Sequence, residues 1–153
     1  MKELNKIFLK STKNTEILAS RIAKHAEKKL FIGLYGDLGS GKTTFARFFI
    51  NAFSNGNYKV KSPTFSMVNT YELQDITIWH FDLYRLKVAE EIFHLDYDMA
   101  LNDIVIVEWP EIIKRYLPEN RIEIIFSEDA DLKRFANLRF LGNYKSTIGC
   151  LFE

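Results

Sequence analysis

Apolar residues along the chain repeat with two periods, and the switches between them predict the elements. Leu18, Ile22 and Ala26 recur at spacings of four, which puts them on one stripe of a helix running from a cap at Asn14 to about Lys28. Glu16 falls in its expected first turn, where the helix dipole favours an acid. Leu30–Tyr35 is a short apolar run stopped by glycines, the mark of a buried strand. Phe45, Phe48, Phe49 and Ala52 then return to helical spacing, so strand, glycine loop and helix follow in that order. Asn55-Gly56-Asn57 and Ser62-Pro63-Thr64 break the pattern. Residues 65–73 and 76–83 read as two strands joined by a turn at Gln74-Asp75. In the second of these, Ile78, His80 and Asp82 share one face and Thr77, Trp79 and Phe81 the other. Residues 88–95 are predicted helical, and Ile104–Val107 is a continuous apolar run of the kind found in strands covered on both faces. Ile122, Ile124 and Phe126 alternate with Arg121, Glu123 and Ile125, and residues 134–141 are set to pair with them antiparallel. The expected fold is α/β: a P-loop NTPase-like mixed sheet flanked by helices, with antiparallel strands at its C-terminal end. Strand order does not follow from the pattern.

At 153 residues, without repeats or Pro/Gly-rich linkers, the chain is expected to form a single domain over residues 1–153. A chain of this size buries roughly 70% of its unfolded surface and needs no staples. The net charge of +1 removes any global basic field that would argue for direct nucleic-acid binding. Cys150 is the sole cysteine, so neither an intramolecular disulfide nor a thiolate metal cluster is available. No window approaches the ~20 apolar residues of a bilayer span, and Met1–Lys6 has no signal-peptide core. The expectation is a soluble, cytoplasmic protein with no membrane association.

Chemistry concentrates at Gly36-Asp37-Leu38-Gly39-Ser40-Gly41-Lys42-Thr43, which satisfies G-x-x-x-x-G-K-[ST] in full. Glycines let successive backbone N–H groups turn toward phosphate oxygens at a helix N-terminus. Lys42 is expected at the β- and γ-phosphates, and the Thr43 hydroxyl at Mg²⁺. Such a site also needs an acid, for the metal or for the attacking water. Glu108 closes the apolar run 104–107, where that acid would sit, and Asp82 closes the strand before it. Each is alternatively an ordinary strand-end carboxylate. His80 is read as a supporting or packing residue. His25 and His94 are read as surface residues, while Trp109 is left between the site and the core. The hydroxyls of Ser62-Pro63-Thr64-Phe65 suit either a switch that senses the γ-phosphate or a plain turn into a strand. No Asn-Lys-x-Asp segment is present, which favours ATP over GTP.

Four segments in one order carry a resemblance: residues 36–45, Lys61-Ser62-Pro63-Thr64-Phe65, His80-Phe81-Asp82-Leu83-Tyr84-Arg85-Leu86 and Glu108-Trp109-Pro110. Together they resemble the bacterial TsaE (YjeE) family, the ATPase component of the machinery that makes threonylcarbamoyl-adenosine in tRNA. The resemblance implies ATP and Mg²⁺ as ligands, with Asp37, Leu38, Gly39, Ser40, Gly41, Lys42, Thr43 and Thr44 at the nucleotide and Thr43 and Glu108 at the metal. It implies that Lys42, Asp82 and Glu108 are needed for activity and that residues 62–65 form a switch. It places the loop after the first strand and the C-terminal strands beside the adenine, with Thr15 and Arg134 as neighbours. It further implies TsaB and TsaD as partners, contact with tRNA only through that complex, and weak hydrolysis without them. Ser40 and Met67 stand where the family usually has Ala and Leu, and neither is expected to touch the chemistry. Two other readings compete. One is a P-loop small-molecule kinase with Asp82 accepting a substrate proton, against which stands the lack of an Arg-rich lid. The other is a nucleotide-sensing adaptor that does no catalysis.

Overall fold

The computed structural model describes residues 5–54 and 58–152. The break expected at Asn55-Gly56-Asn57 lies outside the described residues. A mixed sheet forms the centre, from β1 (Asn5–Leu9), β2 (Phe31–Tyr35), β3 (Val68–Leu73), β4 (Ile76–Asp82), β5 (Ile104–Glu108), β6 (Arg121–Glu128) and β7 (Arg134–Leu141). Across the sheet the order is β1-β7-β6-β2-β5-β4-β3. The four inner strands β6, β2, β5 and β4 run parallel, and antiparallel pairs close both sides: β3 on β4, and β7 then β1 beyond β6. The expected pairing of residues 121–128 with 134–141 is therefore present, from Arg121 opposite Leu141 to Glu128 opposite Arg134.

Two apolar clusters sandwich this sheet. On one face Ile32, Leu34, Ile78, Ile104, Ile106, Ile122 and Ile124 meet α1 (Thr12–Lys24) and α2 (Lys42–Asn51), through Leu18, Ile22, Phe45 and Phe49. On the other, Phe31, Phe81, Val105 and Val107 pack against Ile92, Tyr97, Ala100 and Ile113. These last residues belong to 3₁₀ turns at Ala89–Leu95 and Pro110–Tyr116 and to the one-turn helix α3 (Tyr97–Ala100). A second one-turn helix, α4 (Tyr144–Thr147), and a 3₁₀ turn at Gly149–Phe152 follow β7. The two faces of β4 separate as the alternation requires: Ile78 joins the first cluster, Phe81 the second.

Several boundaries differ from the sequence pattern. The first helix runs from Thr12, behind a cap at Ser11, to Lys24, and Asn14 is its third residue. The Asn14 Oδ1 accepts the Ser11 N–H at 3.0 Å, so it caps the helix by reaching back rather than by starting it. Glu16 then lies beyond the first turn and pairs with Lys13 at 2.8 Å on the surface. Residues 65–67 turn before β3, with Met67 at φ 67° and Phe65 86% exposed. The helix expected over 88–95 is the 3₁₀ turn from Ala89. The strand β1 was not legible, because its five residues Asn-Lys-Ile-Phe-Leu carry too little alternation to stand apart from a polar leader.

Candidate functional site

The parallel strands β2, β5 and β4 end at one edge, and a cleft of about 330 Å³ opens there. Crevices outside the carboxyl ends of parallel strands are where α/β sheets hold ligands, since the loops there are free of the sheet's own hydrogen bonding. Gly36–Gly41 leaves β2 and turns into α2 through three glycines with positive φ: Gly36 at 140°, Gly39 at 76° and Gly41 at 116°. A Cβ on Gly36 would lie 2.6 Å from Ser40 Oγ and 2.9 Å from the Phe126 carbonyl, so the turn closes only without a side chain. A Cβ on Gly39 would meet nothing within 4 Å, since that residue faces the open cleft.

Lys42 is the first residue of α2 and is 4% exposed. Its Nζ donates to the carbonyls of Gly36 at 2.5 Å and Asp37 at 2.7 Å, and lies 4.1 Å from the centre of the Trp109 ring. Burial pushes its ammonium below the ordinary lysine range, and the nearby carboxylates of Glu108, Glu111, Asp82 and Asp37 oppose that shift. Ser40 Oγ stands 3.5 Å from Nζ.

Thr43 Oγ1 lies 2.9 and 3.0 Å from the two oxygens of Glu108. Glu108 is the last residue of β5, 2% exposed, and Oε2 also sits 2.7 Å from His80 Nε2. Asp82, directly across from Glu108 in register, is 5% exposed. Its Oδ2 accepts the Ser62 hydroxyl at 2.5 Å and its Oδ1 accepts the Tyr84 N–H at 3.0 Å. Ser62 in turn lies 3.2 Å from Thr64 Oγ1. Lys42, Thr43, Ser62, Thr64, Asp82, Tyr84, Glu108 and Trp109 thus line one cleft although they come from four separate stretches of chain.

One hydroxyl and one carboxylate are a hard-oxygen donor pair of the sort that suits Mg²⁺, which takes few protein ligands and fills its shell with phosphate oxygens and water. Among the described residues no group of three or more His, Cys, Asp or Glu is placed to cage a metal. The Thr43–Glu108 pair therefore fits a magnesium ion shared with a bound phosphate.

A second cavity of about 390 Å³ adjoins the cleft. Ser40, Gly41, Thr44 and Arg134 border it, together with Thr15 at the start of α1 and Phe8, Leu9, Thr12 and Leu132. Arg134 borders both spaces, and Asp37, Leu38 and Ser40 flank it across a smaller recess. The structure so brings Thr15 and Arg134 beside the loop, 119 positions apart in the chain. Phe8 and Leu9 are lining residues that the sequence pattern missed, because β1 itself was missed. Trp109, left open on sequence grounds, lies at the cleft against Lys42 and Tyr84, and the exposed His25 and His94 stand apart from it. Arg85 stacks its guanidinium over the Phe65 ring at 4.9 Å, and does not line the cleft.

Comparison with known proteins shows the family. The family model described as "Threonylcarbamoyl adenosine biosynthesis protein TsaE" matches residues 9–136. A protein of Rickettsia felis named tRNA threonylcarbamoyladenosine biosynthesis protein TsaE is 38% identical over 86% of this chain and 78% of its own length. Similarly named proteins of Rickettsia bellii and Bacillus subtilis are 40% and 31% identical, over 86% and 84% of this chain and 92% and 81% of theirs. The crystal structure of Bacillus subtilis YdiB superimposes with a TM-score of 0.78 over 99% of this chain and 95% of that one, at 24% identity, which speaks to the fold. With the family model spanning the loop, both strand-end acids and the start of β7, the chain belongs to the TsaE family.

Proposed function

We propose that this protein binds Mg²⁺·ATP in the cleft and hydrolyses it in support of threonylcarbamoyl-adenosine modification of tRNA, together with TsaB and TsaD. The observation that carries the reading is the Thr43 hydroxyl set against both oxygens of Glu108 beside the glycine loop. Asp37–Thr44 would wrap the phosphates, with Lys42 exchanging its bonds to the Gly36 and Asp37 carbonyls for phosphate oxygens. Mg²⁺, when bound, neutralises charge that develops on the transferring phosphoryl group. Thr43 and Glu108 would hold it. Asp82, which lines the cleft, would orient or deprotonate water, and its bond to Ser62 ties that acid to residues 62–65, the candidate switch. Thr15 and Arg134 would border the base in the second cavity.

Phosphoryl transfer is accelerated by positive groups at the transition state, and a missing one costs about 10³–10⁵ in rate. Of the two arginines considered, Arg85 is engaged with Phe65 and Arg134 sits at the junction of the two cavities. Weak hydrolysis by the isolated chain, raised by its partners, is the expected behaviour. Phosphate release measured alone and then with TsaB and TsaD tests it. Turnover of several per second by the lone chain, unchanged by the partners, would sink the partner-dependent ATPase. Consumption of ATP only when a small hydroxylated substrate is added would favour the kinase, with Asp82 as its base. Binding without any hydrolysis, even in the complex, would leave the adaptor.

A further inference from the structure

We propose that His80 is a positioning residue for Glu108, fixing which carboxylate oxygen faces the cation; this rests on the Mg²⁺·ATP reading above. Thr43 has one hydroxyl hydrogen but lies almost equally far from both Glu108 oxygens, at 2.9 and 3.0 Å. That bond alone leaves the two oxygens interchangeable. His80 Nε2 breaks the symmetry, sitting 2.7 Å from Oε2 only. A carboxylate offers acceptors and no donor, so the imidazole carries its proton on Nε2 and gives it to Oε2. Oε1 is then the edge left for the metal or a metal-bound water.

Packing does not explain a histidine here. His80 is wholly buried, and on the same sheet face it stands among Ile78 on β4 and Ile104 and Ile106 on β5, with Asn69 opposite it on β3 and Asp82 two residues along its own strand. Among the described residues its Nδ1 is the one buried side-chain nitrogen or oxygen with no hydrogen-bond partner. Burying a polar atom unpaired costs stability that an apolar side chain of similar volume would avoid. The contact the imidazole does make is with Glu108, two residues beyond its register partner Ile106. Groups that orient a metal's ligands in this way typically change metal affinity by about 10–100-fold when removed.

The test compares wild type with His80→Leu, which fills the space without a donor, and His80→Gln, which keeps an N–H near the position of Nε2. Mn²⁺ serves as the probe, titrated by electron paramagnetic resonance into protein saturated with a non-hydrolysable ATP analogue. Nucleotide affinity in EDTA and thermal unfolding are measured alongside. His80→Leu should weaken Mn²⁺ binding about 10–100-fold, leave metal-free nucleotide affinity within about twofold, and be largely rescued in His80→Gln. An unchanged Mn²⁺ dissociation constant in a folded His80→Leu protein would overturn the inference. So would equal loss of metal-free nucleotide binding with no rescue by Gln, since that marks a structural role. If the Leu variant does not fold, His80→Asn against His80→Gln decides. The shorter amide cannot reach Oε2 and should lose Mn²⁺ affinity where Gln keeps it, and equal affinities would again overturn the proposal. Wild-type protein that binds the analogue with no metal dependence would overturn the Mg²⁺·ATP reading itself, and this inference with it.

Discussion

Lys42 carries its charge in a buried place before any phosphate arrives, and that sets a pH dependence. Burial holds its pKa below the ordinary lysine value. In the folded chain Lys42 therefore loses its proton at a lower pH than in the unfolded chain. Below the depressed pKa both states keep the proton, and the folded state bears the full cost of the buried cation. As pH rises from there toward the ordinary value the unfolded chain binds more protons, so this residue's contribution to stability grows. Phosphate binding runs the opposite way, because it needs the ammonium. ATP affinity should fall on the alkaline side, starting below the ordinary lysine range, and Lys42→Ala should abolish that decline. The same variant should bind ATP about 10–100-fold more weakly, the worth of a charged hydrogen bond at about 1.5–3 kcal/mol. Emission of Trp109, whose ring lies 4.1 Å from Nζ, offers the readout. Trp79, the other tryptophan, donates to Asp103 and does not line the cleft. Unchanged affinity and an unchanged pH profile in Lys42→Ala would refute the phosphate-binding role.

At the scale of elements, the loop between β2 and α2 is defined by backbone shape as much as by side chains. Gly36→Ala combines a left-handed φ with contacts at 2.6 Å to Ser40 Oγ and 2.9 Å to the Phe126 carbonyl on β6. Gly39→Ala meets only the conformational strain. Strain of this kind costs about 1–3 kcal/mol, and in a chain of this length about 2–4 °C of Tm accompanies each kcal/mol. Gly36→Ala should therefore lower Tm more than Gly39→Ala does. Equal losses in the two variants would show that the Phe126 contact does not constrain the loop. That contact also links the loop to β6, which no spacing of glycines reveals. The order strand, glycine loop, helix was legible because the apolar run and the glycines are local signals. The strand β1 was not, since its pairing with β7 ties it to residues 134–138 at the far end of the chain.

For the whole molecule, both apolar clusters are built on the same strands, so neither face can melt and leave the other intact. A single cooperative thermal transition is expected, consistent with one domain. A ligand that binds only the folded chain adds about 2.7 kcal/mol at a hundred times its Kd. Mg²⁺·ATP should thus raise Tm by roughly 5–11 °C at that ratio. Two separate transitions, or no shift with nucleotide, would contradict this picture. No helix among the described residues is long and apolar enough to cross a membrane.

The sequence by itself determined the phosphate loop, the pairing of β6 with β7, and the two acids as candidates, because each is written in contiguous residues: a glycine spacing, an alternation, an acid closing an apolar run. It also carried the family, since four ordered segments are improbable together. Only the tertiary structure decided that Glu108 and Asp82 end adjacent strands in direct register, and that β2 lies between β5 and β6. It alone placed His80 on Glu108, Ser62 on Asp82 and Trp109 on Lys42. The physical reason is that strand order is set by the burial of both sheet faces at once, a constraint that acts across the whole chain and leaves no local trace.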